Sequence, residues 1–119
     1  MTAFLAVAAG GALGAVGRYV VIGRVGAWLG TDFPYGTLLV NVAGSFLLGL
    51  VVAIAADRTV DDRLLLFLGA GVLGGFTTFS TFALDVAYLT GRQARPAAAI
   101  YIVASVALSI GAFAAGLVL

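Results

Sequence analysis

Four long apolar runs, each closed by a short polar or charged stretch, make up nearly the whole chain, at about residues 2–23, 34–56, 64–89 and 96–118. About 20 consecutive apolar residues are what an α-helix needs to cross a bilayer. The pattern therefore predicts an all-α integral membrane protein with four spanning helices in one domain over residues 1–119. Polar positions inside the runs are periodic. Thr37, Asn41 and Ser45 recur every four residues and share one face of the second helix, and Tyr101, Ser105 and Ser109 do the same on the fourth. Small residues form a further stripe, with Ala6, Gly10, Gly14 and Gly17 giving the first helix a seam for close packing. Gly44 and Gly49 give the second helix the same capacity.

The third run is different. It contains Gly74-Gly75-Phe76-Thr77-Thr78-Phe79-Ser80-Thr81-Phe82 inside an uncharged stretch at residues 64–84. Two glycines followed by two β-branched threonines have poor helix propensity, and they fall near the middle of the span. A break in the third helix is predicted there, at the depth of the bilayer midplane. Unwound backbone cannot face lipid, because each unpaired N–H or C=O costs several kcal/mol. A protein surface, an ion or water in a cavity must satisfy it.

Composition then excludes whole classes of function. Hydrophobic residues are 63% of the chain and charged residues 9%, with a mean hydropathy of +1.20, so a soluble enzyme is ruled out. Cys and His are absent, and so are Lys and Glu, which removes disulfides, imidazole bases and the common zinc and haem ligands. A net charge of +1 gives no reason to expect a nucleic-acid partner. No Lys or Arg precedes the first run, so the positive segment of a secretory signal is missing and this helix is expected to be retained.

Loops follow from the charges. The first is expected from Arg24 to Phe33, with Trp28 at headgroup level, and Pro34 opens the second helix. The second holds Asp57, Arg58, Asp61, Asp62 and Arg63, and Thr59 with Asp62 reads as a capping box. After Asp85 and Tyr88 comes a third loop at residues 90–95, with Pro96 opening the last helix. Arg18, five residues from the expected end of its helix, either snorkels to the interface or attracts anions at a vestibule. Loops one and three carry Arg24, Arg92 and Arg95 on one side, against Arg58 and Arg63 on the other. That bias is too weak to fix one orientation. Insertion both ways is expected, and with it an antiparallel dual-topology homodimer whose two-fold axis lies in the membrane plane. Two broken spans then meet at the midplane, where released carbonyls suit an alkali cation.

The polar groups of the spans are hydroxyls and one carboxamide, donors without a mid-span carboxylate, which favours an anion as the permeating species. Each group also has a structural use. Asn41 works as interhelical glue or as a donor to a solute; the serines bond their own i−4 carbonyls or face a pathway. Phe76, Phe79 and Phe82 share a face, where they pack or turn their positive ring edges to an anion.

Together, Gly74 to Phe82, Gly36-Thr37-Leu38-Leu39-Val40-Asn41-Val42-Ala43-Gly44-Ser45-Phe46, and Gly10-Gly11-Ala12-Leu13-Gly14-Ala15-Val16-Gly17-Arg18-Tyr19 closely resemble the Fluc/CrcB fluoride channels. The match covers essentially the whole chain. It implies a dual-topology homodimer in the cell inner membrane with two antiparallel pores that export fluoride passively. It implies also a structural Na+ that is not transported, held by backbone oxygens of Gly74 and Thr77. Phe79 and Phe82 correspond to the family's paired pore phenylalanines and Asn41 to its pore asparagine. Tyr101, Ser105 and Ser109 resemble its polar track, with Thr37, Ser80 and Thr81 as further donors. Asp85 departs from the Glu of many members, which leaves its role open. Two other classes share some of these features. A small proton-coupled multidrug exporter needs a membrane-embedded carboxylate, and the chain has no Glu and no mid-span Asp. A membrane scaffold explains the glycine seams but neither the hydroxyl lines nor the break.

Overall fold

A computed structural model describes residues 1–57 and 59–119. Arg58, counted above in the second loop, lies outside the described residues. The elements are α1 (Thr2–Leu29), α2 (Tyr35–Ala55), α3 (Asp62–Leu65), a π-helical segment (Leu66–Leu73), α4 (Gly74–Phe76), α5 (Ser80–Gly91) and α6 (Arg95–Val118). Four helical stretches, Thr2–Leu29, Tyr35–Ala55, Asp62–Gly91 and Arg95–Val118, are long and apolar enough to cross a membrane.

Several boundaries move from their expected places. The first helix runs past Gly23 to Leu29, so Arg24 and Trp28 are helical rather than in a loop. Glycine inside an apolar helix lowers propensity without ending it; the stop comes at Gly30, whose φ of 81° is a left-handed value that glycine adopts freely. Pro34 caps α2 from outside, and Pro96 lies in the first turn of α6, which starts one residue earlier than expected, at Arg95. The second loop closes differently too. Asp61, not Thr59, caps α3, accepting from Arg63 N at 2.8 Å, while Thr59 bonds back to Asp57. Asp85 and Tyr88 remain inside α5, which continues to Gly91.

Close helix approach organises the packing. α1 lies along the π-helical segment, and α2 along α6. A β-carbon at Gly14 would overlap the Val72 carbonyl, and one at Gly75 the Gly11 carbonyl. The expected seam on α1 therefore has a specific partner, the first half of the third span. On the other pair, Gly49 sits on the Phe113 carbonyl and Gly116 on the Phe46 carbonyl.

The third span carries the main surprise. Its i→i+5 section was not foreseen, because no residue type marks a π-helix as glycine marks a turn; such sections are frequent at functional sites. Gly74 and Gly75 are helical, against expectation. The backbone leaves the helix at the next residues, with Thr77 extended (φ −80°, ψ 158°), and re-enters it at Ser80. Gly75 packs on the Gly11 backbone within the helical part, and the threonines take the irregular positions.

Candidate functional site

The irregular stretch is held by a side chain from another span. Asn41 on α2 donates Nδ2–H to the Thr78 carbonyl at 2.9 Å and accepts the Thr78 N–H on Oδ1 at 2.8 Å. One carboxamide thus replaces both bonds that Thr78 loses by leaving the helix, and the complementary pair fixes which way the amide faces. Thr78 in turn organises the start of α5. Its Oγ1 accepts the Thr81 N–H at 3.1 Å, the capping pattern for a helix N-terminus, and donates to Thr81 Oγ1 at 3.2 Å. A hydroxyl has one proton, so Ser80, with its Oγ 3.3 Å from Thr78 Oγ1, is the donor there. No acceptor for the Thr81 hydroxyl proton is found among the described residues.

Upstream the helix ends at Thr77. Thr77 N–H and Thr77 Oγ1 both donate to Leu73 O, at 3.0 Å each. That is the last backbone bond of this half of the span, so the Gly74, Gly75 and Phe76 carbonyls are terminal acceptors. Gly74 is exposed.

A cleft of about 410 Å³ opens beside this stretch. Its wall brings together Asn41, Gly74, Thr77, Phe79, Phe82, Ser105 and Ser109, all singled out from sequence, and adds Thr78, Ser45 and Gly44. Ser105 and Ser109 do not bond their own i−4 carbonyls: both Oγ atoms are buried with no hydrogen-bond partner among the described residues, and Ser105 is only 6% exposed. Phe79, by contrast, is 79% exposed. Its ring lies 5.6 Å from that of Phe82, which lies 5.2 Å from Tyr101.

The remaining candidates lie apart from this wall. Thr37 and Tyr101 are buried beneath it, 3% and 0% exposed. The Tyr101 hydroxyl donates to Asp85 at 3.0 Å, so a carboxylate is engaged inside the third span, a contact that sequence reading missed. Arg18 and Thr81 border a second cleft, of about 720 Å³, together with Arg24. Arg18 is half-buried there. Thr78 is the other residue that was overlooked. The spacing Thr78-x-x-Thr81 ahead of an apolar run is a capping signal, and it was legible.

Comparison with known proteins decides the family. The family model described as CrcB-like protein, Camphor Resistance (CrcB), matches residues 5–117. The chain belongs to the CrcB family. Proteins named Fluoride-specific ion channel FluC are similar to it along their length. That of Nitrobacter winogradskyi is 50% identical over 98% of this chain and 93% of its own. That of Rhodospirillum centenum is 52% identical over 100% and 95%, and that of a Chelativorans strain 54% identical over 91% and 87%. These are channels, so this CrcB protein belongs to a family of channels rather than of enzymes. Among its described residues no cluster of His, Cys, Asp or Glu could hold a metal.

Proposed function

We propose that this CrcB protein is a fluoride-specific channel of the cell inner membrane, exporting fluoride passively and so lowering its toxic accumulation. The observation that carries the reading is the pair of buried, unpartnered hydroxyls, Ser105 and Ser109, in a cleft walled by phenylalanine. A buried polar group without a partner is costly, and an anion is the acceptor that completes a hydroxyl donor. Fluoride, small and hard, gains most from such donors, while a narrow passage of ring edges and hydroxyls compensates chloride poorly. Export follows from chemistry outside the protein. Hydrogen fluoride enters as a neutral acid, dissociates in the more alkaline cytoplasm, and the inside-negative potential drives the anion out.

The working unit in this reading is an antiparallel homodimer with two pathways. Its support is the open face of the cleft, where Phe79 stands exposed and an inverted second copy would cover it. The interrupted third span then meets its twin near the midplane. The Gly74 and Thr77 carbonyls fit a hard monovalent cation, since the helix end presents neutral oxygens and the negative end of its dipole. Residues of this kind on both copies would hold a structural Na+, which ties the two chains together and does not travel. The start of α5 offers the opposite pole to the anion, and Arg18 with Thr81 forms the vestibule.

Purified protein in liposomes, followed with a fluoride electrode beside a chloride control, tests the reading. Rapid fluoride efflux with negligible chloride efflux is expected; equal loss of both, or of neither, refutes it. Replacing Na+ throughout by a bulky organic cation should impair flux or assembly, and labelled sodium should not accompany fluoride.

A further inference from the structure

Asp85 is a carboxylate in a spanning segment, one turn beyond Phe82 on α5 and outside the cleft wall. Its one hydrogen bond among the described residues comes from the Tyr101 hydroxyl, at 3.0 Å on Oδ2. No arginine among the described residues pairs with it; the ion pair there joins Arg92 to Asp32. Tyr101 is completely buried, its ring against Phe82 at 5.2 Å and edge-on to Phe33 at 5.6 Å. Phe79, Phe82 and Tyr101 are thus three rings in series, the first two on the cleft and the third tied to Asp85.

The direction of that bond matters. An ionised carboxylate accepts hydrogen bonds and donates none, and a tyrosine has one proton to give. While Asp85 carries its charge, the phenol proton is committed to it and withheld from an anion that reaches Phe82. The family resemblance suggests Tyr101 as a donor on the polar track; in the structure its proton goes to Asp85.

We infer that Asp85 is a positioning residue acting through Tyr101: by holding the phenol proton back from the pathway it slows the passage of fluoride past Phe82. This rests on the fluoride reading above. The tether deprives the ion of one donor at the ring pair, leaving Ser105 and Ser109 as the donors that set the rate.

The test uses wild type and the variants D85N, D85E, Y101F and D85N/Y101F, each reconstituted and followed by fluoride electrode. The carboxamide of D85N carries no charge, so its oxygen holds the phenol proton less strongly and its N–H competes for the phenol oxygen; D85N should raise fluoride efflux at least about threefold. D85E keeps a carboxylate and should hold the slower rate. The gain needs the hydroxyl, so D85N/Y101F should match Y101F alone. A D85N rate at or below wild type in protein eluting as the same assembly, as a merely structural Asp85 gives, overturns the inference. An equal gain in the Y101F background also overturns it, because Asp85 then acts by charge alone. Should D85N not assemble, D85S makes the same comparison. Wild-type vesicles that fail to release fluoride overturn the channel reading itself, whereas a conducting wild type without the D85N gain sinks only this inference.

Discussion

The two halves of the third span, joined at Thr77 to Phe79, are built on opposite principles. Upstream, residues 66–76 press their backbone against α1 through Gly10, Gly14 and Gly75, with a π-helical section in place of regular α-helix. Downstream, Ser80–Gly91 packs loosely, turns Phe82 and Thr81 toward open clefts, and is tied at its start by side-chain bonds through Thr78. Close backbone packing leaves no room for a solute, whereas polar side chains held by one another leave a surface on which one can bind. The first half anchors the interruption; the second half presents the chemistry.

The largest effect should come from breaking the anchor. In Gly75→Val the new β-carbon meets the Gly11 backbone, which has no side chain to move aside. Overpacking that side chains can relieve costs about 1–3 kcal/mol; here backbone meets backbone and the two helices must part, so the expected outcome is loss of the monodisperse species on size-exclusion chromatography. Next comes the joint between the halves. Asn41→Ala orphans both the N–H and the C=O of Thr78. At about 1–3 kcal/mol for each buried group left unpaired, it should lower the thermal midpoint in detergent clearly and abolish flux. A protein of wild-type stability would mean that Asn41 serves a solute and not the backbone. The smallest effect belongs to the downstream surface. Phe79→Ile or Phe82→Ile should leave assembly intact and slow fluoride efflux about tenfold, roughly 1.4 kcal/mol of barrier. Unchanged flux in both would remove the rings from the pathway.

How much of this was legible in the sequence divides along the same joint. Hydrophobic run lengths reveal the spans, and spacing by four brings Asn41, Ser105 and Ser109 toward one cleft, because helical periodicity is local and regular. The glycine seam on α1 was also legible, though not its partner. The irregular stretch lies just beyond its expected place, since propensity counts Gly74 and Gly75 as weak while Gly75 packs on the Gly11 backbone and both glycines stay helical. The π-helical section and the Tyr101 bond to Asp85 depend on contacts between distant parts of the chain, which no local pattern encodes. The capping role of Thr78 is legible in its spacing to Thr81, whereas its bonds to Asn41 come from another span and are not.

One measurement bears most directly on the claim that the cleft carries the anion. Ser105 and Ser109 have buried hydroxyls with no hydrogen-bond partner among the described residues, so removing them costs the fold little, while the ion would lose charge-assisted bonds of about 1.5–3 kcal/mol each. For S105A/S109A the account predicts a thermal midpoint equal to or above wild type together with fluoride efflux reduced at least about tenfold. Full flux in the double variant, or a loss of flux that only tracks a loss of stability, would contradict it.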